Sequence, residues 1–150
     1  MALDAQQLAA ASADAMWAGD RASQALGMHI ERMAPGRAVI AMTVREDMVN
    51  GHGICHGGFI FTLADSAFAF ACNSENHSAV AAGARVEFLA PGRLGDRLTA
   101  SAAQVHQGRR TGLYDVTVSN QEGATLALFR GNSHRIGGAL VNTETGDPLP

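Results

Sequence analysis

The run from Phe59 to Cys72 constrains the fold more than any other part of the chain. It is compatible with a helix, apolar on almost every side, and contains a single ionisable residue, Asp65. A helix without a polar face normally lies inside the molecule, covered on most sides. A buried, unpaired carboxylate is costly and tends to be neutralised or paired. Asp65 therefore needs a specific reason to be there.

The start of this helix provides a second constraint. Gly57 and Gly58 allow a ligand to come close to backbone N–H groups that have no partner inside the helix. These groups and the positive end of the helix dipole suit an oxygen that gains negative charge during a reaction. Gly57 and Asp65 lie ~12 Å apart along one helix, too far to touch one reacting carbon. If they cooperate, a second copy of the chain must supply its own Asp65, which predicts a dimer.

The surrounding residues form a long, spaced motif. It consists of Asn50-Gly51-His52, Cys55-His56-Gly57-Gly58, Leu63-Ala64-Asp65 and Ala71-Cys72-Asn73-Ser74. This motif resembles the signature of hotdog-fold acyl-CoA thioesterases, most closely the phenylacetate-degradation (PaaI-type) branch. The match continues in three later segments, which are Phe88–Gly92, Leu128–Gly131 and Ser133–Gly138. In total it covers roughly residues 24 to 138.

The resemblance implies a role for four residues. Asp65 would be the catalytic carboxylate, which either activates water or attacks the thioester directly. The N–H of Gly57 would polarise the thioester carbonyl, the amide of Asn50 would position the water or the carbonyl, and His56 would donate a hydrogen bond near that carbonyl.

The residues themselves leave simpler alternatives open. Asp65 could face a polar neighbour such as Ser66 or Thr62, and Gly57 could merely allow close packing of the helix on a sheet. Asn50 could be only a turn residue, as Asn before Gly often is.

Substrate contacts are expected on both sides of the motif. Resemblance assigns substrate or coenzyme A binding to Gly58, Phe59, Arg130, Gly131, Ser133, His134 and Arg135. The basic residues, together with the turn arginines Arg93, Arg97, Arg109 and Arg110, could meet phosphates, although a lone arginine is usually solvated or ion-paired. Phe59, Phe61, Phe68 and Phe70 could line an acyl pocket, with core packing as the alternative.

A metal site is not expected, although His52, Cys55 and His56 lie close together in the sequence. Structural zinc usually takes four ligands, and no nearby Asp, Glu or second cysteine pair completes a set. Cys55 also lacks the base and orienting group that a thiol nucleophile needs. We therefore predict no metal and no cofactor, coenzyme A being part of the substrate, and assign Cys72 to the core.

Composition excludes several classes of protein. The chain has 150 residues, 47% hydrophobic and 17% charged, with a net charge of −3, which fits one domain over residues 1–150. A negative charge argues against general nucleic-acid binding, and no apolar run is long enough for a membrane span. The start of the chain lacks the positive region of a secretion signal. Two cysteines imply no disulfide framework, so a cytoplasmic location is expected.

The pattern along the chain predicts an α+β fold with an antiparallel sheet. Residues 1–26 form a helical extension, with Asp20 capping a second short helix that Gly27 ends. Two strands come before the central helix and four follow it, whereas residues 139–150 are expected to be loose. The hotdog resemblance adds that the sheet wraps around the helix. It also implies a homodimer with shared active sites, which assembles into a homotetramer.

The expected function is hydrolysis of aryl-acyl coenzyme A thioesters, such as phenylacetyl-CoA or hydroxyphenylacetyl-CoA, in phenylacetate degradation. Two alternatives remain: a non-catalytic acyl-CoA-binding hotdog domain, and a hotdog dehydratase. A dehydratase typically pairs a catalytic histidine with a carboxylate, whereas the spacing of Asn50, Gly57 and Asp65 follows the thioesterase pattern.

Overall fold

The computed structural model describes all residues from Met1 to Pro150. The helices are α1 (Ala5–Gly19), α2 (Arg21–Ala25) and α3 (Gly57–Cys72), and the strands are β1 (His29–Ala34), β2 (Arg37–Thr43), β3 (Ala79–Phe88), β4 (Arg97–Gln107), β5 (Thr111–Ser119) and β6 (Thr125–Arg135). This confirms the predicted α+β class, with two strands before the central helix and four after it. None of the three helices combines the length and the apolar character that a membrane span requires.

All six strands form one antiparallel sheet in the order β1-β2-β4-β5-β6-β3. The β2–β3 connection must therefore run from one side of the sheet to the opposite edge, and α3 makes this crossing over one face. Register shifts interrupt β1, β3 and β4. Such bulges increase strand twist, which helps the sheet to curve around the helix.

The core lies between α3 and the sheet face that it crosses. Leu63, Ala64, Ala67, Phe68 and Ala71 are buried on the helix. They pack in one cluster with the inward side chains of the strands, which include Ile40 and Met42 of β2, Leu98 and Ala100 of β4, Val116 and Val118 of β5, and Phe129 of β6. Alternation of buried and exposed residues in β4, β5 and β6 follows from this one-sided burial.

Burial of α3 is less complete than its sequence predicts. Gly58 is exposed, and Thr62, Asp65, Ser66 and Ala69 are only partly buried. These five residues follow the helical spacing of three or four and so share one face. The helix therefore presents a mixed polar and small-residue face that the sheet does not cover.

Both ends of the chain pack against the domain. Asp4 and Asp20 are the N-caps of α1 and α2, a position where aspartate is strongly preferred. This confirms the capping role predicted for Asp20. The tail, residues 139–150, was expected to be loose, but hydrogen bonds hold it to the domain. Asn76 accepts hydrogen bonds from the N–H groups of Leu140 and Val141 at 2.8 and 2.9 Å and donates one to Val141 O at 2.9 Å. Val141 is consequently buried.

Candidate active site

The helix start at Gly57 is held by the loop that precedes it. His56 is the N-cap of α3, and its Nδ1 accepts a hydrogen bond from the Gly58 N–H at 2.9 Å. The Phe59 N–H bonds to the His56 carbonyl at 3.0 Å. Gly57 lies at the first helical position, where its N–H has no acceptor within the helix, and it lines an open cleft. Capping of its neighbours thus leaves the Gly57 N–H available to a ligand.

The N-cap hydrogen bond also determines which tautomer the neutral His56 ring adopts. Because Nδ1 accepts a hydrogen bond, the proton of the neutral ring lies on Nε2. His56 can therefore still donate from Nε2, as the resemblance implies. In this structure its side chain caps the N-terminus of α3.

Asn50 uses one end of its side-chain amide in the loop and leaves the other end free. Its Oδ1 accepts from the N–H groups of His52 at 2.9 Å and Ile54 at 3.4 Å, which stabilises the loop. Its Nδ2 makes no hydrogen bond within the chain, and the residue lines the same cleft as Gly57. The oxygen thus builds the turn, while the NH₂ group remains free to donate to a ligand.

The cleft that joins these two donors has a volume of about 500 Å³ and mainly apolar walls. Ile54, Ile60, Phe88 and Leu89 are among the residues that line it. An apolar cleft with a few convergent polar groups is typical of a binding site for a small molecule. Hydrogen-bond donors in such a cleft can stabilise an oxygen that gains negative charge, as the carbonyl oxygen of a thioester does.

Asp65 does not line this cleft. It lies on the partly exposed face of α3, and burial raises the pKa of its carboxyl group above the ordinary value. The two neighbours that could have paired with it are engaged elsewhere: Thr62 donates to Gly58 O at 2.8 Å, and Ser66 lies 2.8 Å from the Ser23 hydroxyl. Asp65 is therefore a carboxylate without a partner, which does not support the simpler alternative for it.

The aromatic residues divide differently from the expectation for an acyl pocket. Phe68 and Phe70 are buried in the core, and Phe61 packs against Phe129 with ring centroids 5.4 Å apart. Phe59 packs edge-to-face on His56 at 6.1 Å. The ring that lines the cleft is Phe88, which is not among the four phenylalanines expected at an acyl pocket. Phe88 does begin the matched segment that ends at Gly92, and this segment is the signal that indicates it.

Two of the predicted coenzyme contacts lie on the inner face of the sheet. Gly131 faces the helix, and a Cβ there would lie 2.8 Å from the Phe68 ring, so its small size serves packing. Ser133 is only 1% exposed and also faces inward. A coenzyme contact of either residue stays a prediction. Arg130 is on the outer face of the sheet, where Asp115 binds it with two hydrogen bonds of 2.6 and 2.9 Å.

His134 and Arg135 belong instead to a basic depression at the other end of the sheet. Its basic side chains are His77, Arg109, Arg110, His134 and Arg135. Arg135 contacts Glu75 at 3.4 Å, and the other four have no ion-pair partner. The depression lies beyond the C-terminal end of α3, whereas the cleft lies at its N-terminal start. No three His, Cys, Asp or Glu side chains of the chain are grouped to hold a metal ion.

Fold and site together define an α+β domain whose sheet packs on one central helix, with a cleft at the start of that helix. The model of the thioesterase superfamily matches residues 52–127. The chain is 53% identical to the acyl-coenzyme A thioesterase PaaI of Escherichia coli over 87% of its length and 93% of the relative. The chain therefore belongs to the thioesterase superfamily and is a thioester hydrolase.

Solved structures agree with this assignment. The Escherichia coli PaaI protein from the phenylacetic acid degradation operon superposes with a TM-score of 0.89 at 51% identity, over 91% of this chain and 99% of that one. A Streptococcus mutans protein bound to acetyl CoA gives a TM-score of 0.73 at 30% identity, over 75% and 90% of the two chains. The predicted hotdog fold is thereby confirmed.

Proposed function

We propose that this thioesterase hydrolyses acyl-coenzyme A, with aromatic acyl groups such as phenylacetyl and ring-hydroxylated phenylacetyl as its substrates in phenylacetate degradation. The observation that carries the proposal is the free Gly57 N–H beside the free Asn50 amide in an apolar cleft. The similar proteins support coenzyme A esters as substrates and phenylacetate degradation as the pathway. The Escherichia coli relative is an acyl-coenzyme A thioesterase, and it belongs to the phenylacetic acid degradation operon.

In the proposed reaction, the thioester carbonyl accepts hydrogen bonds from Gly57 and Asn50. Asp65 either removes a proton from water, whose oxygen attacks the carbonyl carbon, or attacks that carbon itself to give an anhydride that water opens. Both donors and the helix dipole stabilise the oxyanion that forms. The C–S bond then breaks, coenzyme A leaves as a thiolate that takes up a proton, and the carboxylic acid is released.

The catalytic carboxylate in this proposal comes from a second copy of the chain. Gly57 and Asp65 of one helix are ~12 Å apart, and Asp65 does not line the cleft. Two antiparallel α3 helices related by a two-fold axis would bring Gly57 of one copy next to Asp65 of the other. The face of α3 that carries Asp65 is uncovered by its own sheet, so it is available for this contact.

The edge of the sheet supports the same dimer. β3 pairs only with β6, and almost all of its residues are exposed. A long edge strand with unpaired backbone groups is a template for pairing with another chain. Pairing of two β3 strands would extend the sheet and place the two α3 helices side by side. The homotetramer implied by the resemblance remains a prediction.

The basic depression is the proposed site for the coenzyme phosphates. His77, Arg109, Arg110 and His134 have no acidic partner there, in a chain whose net charge is −3. Arginine is well suited to bind phosphate through paired N–H donors. This keeps His134 and Arg135 as predicted coenzyme contacts and adds His77, which the motif did not indicate.

No cofactor is needed by the proposed reaction, because the carboxylate and the two donors suffice for it. Both cysteines are free thiols, and such thiols are usual in a reducing compartment. We accordingly place the reaction in the cytoplasm.

Release of free thiol from a panel of acyl-coenzyme A esters tests the function. We expect phenylacetyl-CoA to be hydrolysed and Asp65→Asn to lose at least ~10³-fold in kcat, because the amide is neither a base nor a good nucleophile. A folded Asp65→Asn protein with near wild-type turnover would contradict the assignment. Binding without thiol release would instead indicate a non-catalytic domain, and loss of water from a hydroxyacyl-CoA a dehydratase.

A further inference from the structure

Phe88 has an unusual position for a large apolar side chain. It is the last residue of β3, and it pairs with Ala127 of β6. A Cβ on Gly57 would lie 3.0 Å from Cζ and 3.2 Å from Cε1 of the Phe88 ring. The tip of the ring therefore touches the residue whose N–H is proposed to bind the carbonyl. This close approach is also a reason for glycine at position 57.

Within one chain, the faces of this ring are not covered. Phe88 is 54% exposed and the adjacent Leu89 is 57% exposed, although both are apolar and line the cleft. Exposed apolar surface concentrated in a cleft commonly marks a ligand-binding site. Because only the tip of the ring packs on Gly57, its faces can still contact a bound molecule.

The direction of the coenzyme determines which part of the substrate meets this ring. Within one chain, the basic depression lies beyond the end of α3, ~24 Å from Gly57 along the helix. In the proposed dimer, Asp65 of the second copy lies opposite Gly57, and that copy's helix ends seven residues, or ~10 Å, further on. The coenzyme would thus extend over the second copy toward its basic depression. The acyl group, on the other side of the carbonyl, would then enter the cleft beside Gly57.

We propose that Phe88 determines the acyl specificity, because an aromatic acyl group packs against its ring while the carbonyl is held by Gly57. This inference rests on the proposed acyl-coenzyme A thioesterase function and deepens it. Paired aromatic rings prefer offset-stacked or edge-to-face arrangements. Their interaction beyond simple area burial corresponds to a preference of about 2- to 12-fold over an aliphatic group of similar size.

The test compares kcat/KM for phenylacetyl-CoA and octanoyl-CoA, whose acyl groups contain equal numbers of carbon atoms. Phe88→Leu keeps an apolar side chain over Gly57 but removes the aromatic ring. We expect the phenylacetyl-to-octanoyl ratio to fall by about 2- to 12-fold, and Phe88→Tyr to retain it. Leu94→Ala is the matched control, because Leu94 is 54% exposed but does not line the cleft.

A ratio in Phe88→Leu that equals the wild-type ratio would overturn the inference, as would an equal fall in Leu94→Ala. If the wild-type protein hydrolyses neither ester, the proposed function fails. The ratio of the two dissociation constants, measured by titration calorimetry in the same variants, then decides the role of Phe88. A higher phenylacetyl-to-octanoyl ratio of dissociation constants in Phe88→Leu than in the wild type supports it, and an unchanged ratio refutes it.

Discussion

The loop role of the Asn50 side chain and its proposed role as a donor to the substrate can be separated by a pair of substitutions. Asn50→Asp keeps an oxygen that accepts from the N–H groups of His52 and Ile54, but it removes the NH₂ donor. Asn50→Ala removes both. We therefore expect the same kind of catalytic defect in both variants and a loss of stability only in Asn50→Ala.

The magnitudes follow from the bonds that are lost. Removing one donor to an oxyanion costs about 10²- to 10³-fold in kcat, and the carboxylate of Asn50→Asp adds repulsion toward that oxyanion. The two loop hydrogen bonds, at 2.9 and 3.4 Å, are together worth about 1–2 kcal/mol. For a domain of this size, that corresponds to a fall in Tm of about 2–8 °C in Asn50→Ala.

The assay pairs thiol release from phenylacetyl-CoA with a thermal melt of each variant. An Asn50→Asp protein with kcat within about tenfold of wild type would refute the donor role, since one lost oxyanion donor should cost more. Equal stability losses in the two variants would refute the role of Oδ1 in the loop.

Three further predictions concern His56, Gly131 and Asp65. His56→Asn should keep the N-cap of α3, because asparagine caps well, whereas His56→Ala should lose about 0.5–2 kcal/mol of stability in a denaturant titration; equal stabilities would contradict the capping role. Gly131→Ala should lower the free energy of unfolding by about 1–3 kcal/mol through overpacking on Phe68 without changing the KM for acyl-CoA, and a selective rise in KM would restore a coenzyme contact. Burial raises the pKa of Asp65, which means that the folded protein holds this proton more tightly than the unfolded chain does. The resulting contribution to folding stability is complete below the unfolded-state pKa and is lost as the pH rises through the folded-state pKa. Asp65→Asn should therefore melt no lower than wild type at neutral pH, and the acid limb of kcat/KM should lie above the usual range of an aspartate; a lower Tm and an ordinary acid limb would contradict this.

Much of the fold could be predicted because the periodicity changes clearly along the chain. The helical pattern of Phe59 to Cys72 gives way to alternation from Val80 onward, which predicts one helix and then strands. Strand order could not be predicted, because alternation shows which face of a strand is buried but not which edges meet. β3 illustrates the limit: its alternation predicts a half-buried strand, yet it is largely exposed because it lies at the sheet edge.

The tail shows another limit of the sequence. Few packing residues lie after Gly138, so a loose segment is the natural prediction. The structure holds this segment through Asn76, whose backbone has a φ of 64° and whose side chain bonds to Leu140 and Val141. A single asparagine so far away in the sequence gives no local indication of this contact.

The candidate site was predictable where one residue has one role. Gly57 and Asp65 were identified from helix geometry and from the cost of an unpaired carboxylate. Asn50 was ambiguous because different atoms of one amide perform the two roles. The contact of Phe88 with Gly57 could not be predicted, because the two residues lie far apart in the sequence and periodicity does not detect such contacts.

In the proposed dimer, each active site takes Gly57 and Asn50 from one copy of the chain and Asp65 from another. Refolding a mixture of Asn50→Asp and Asp65→Asn tests it directly, because a mixed dimer collects both defects in one site and leaves the other intact. With random pairing of equal amounts, half the dimers are mixed, so about a quarter of all sites should recover thiol release from phenylacetyl-CoA. Mass spectrometry of the intact dimers verifies the exchange. Recovery of about a quarter of wild-type activity is the predicted result, and no recovery in a mixture with confirmed mixed dimers would contradict the shared site.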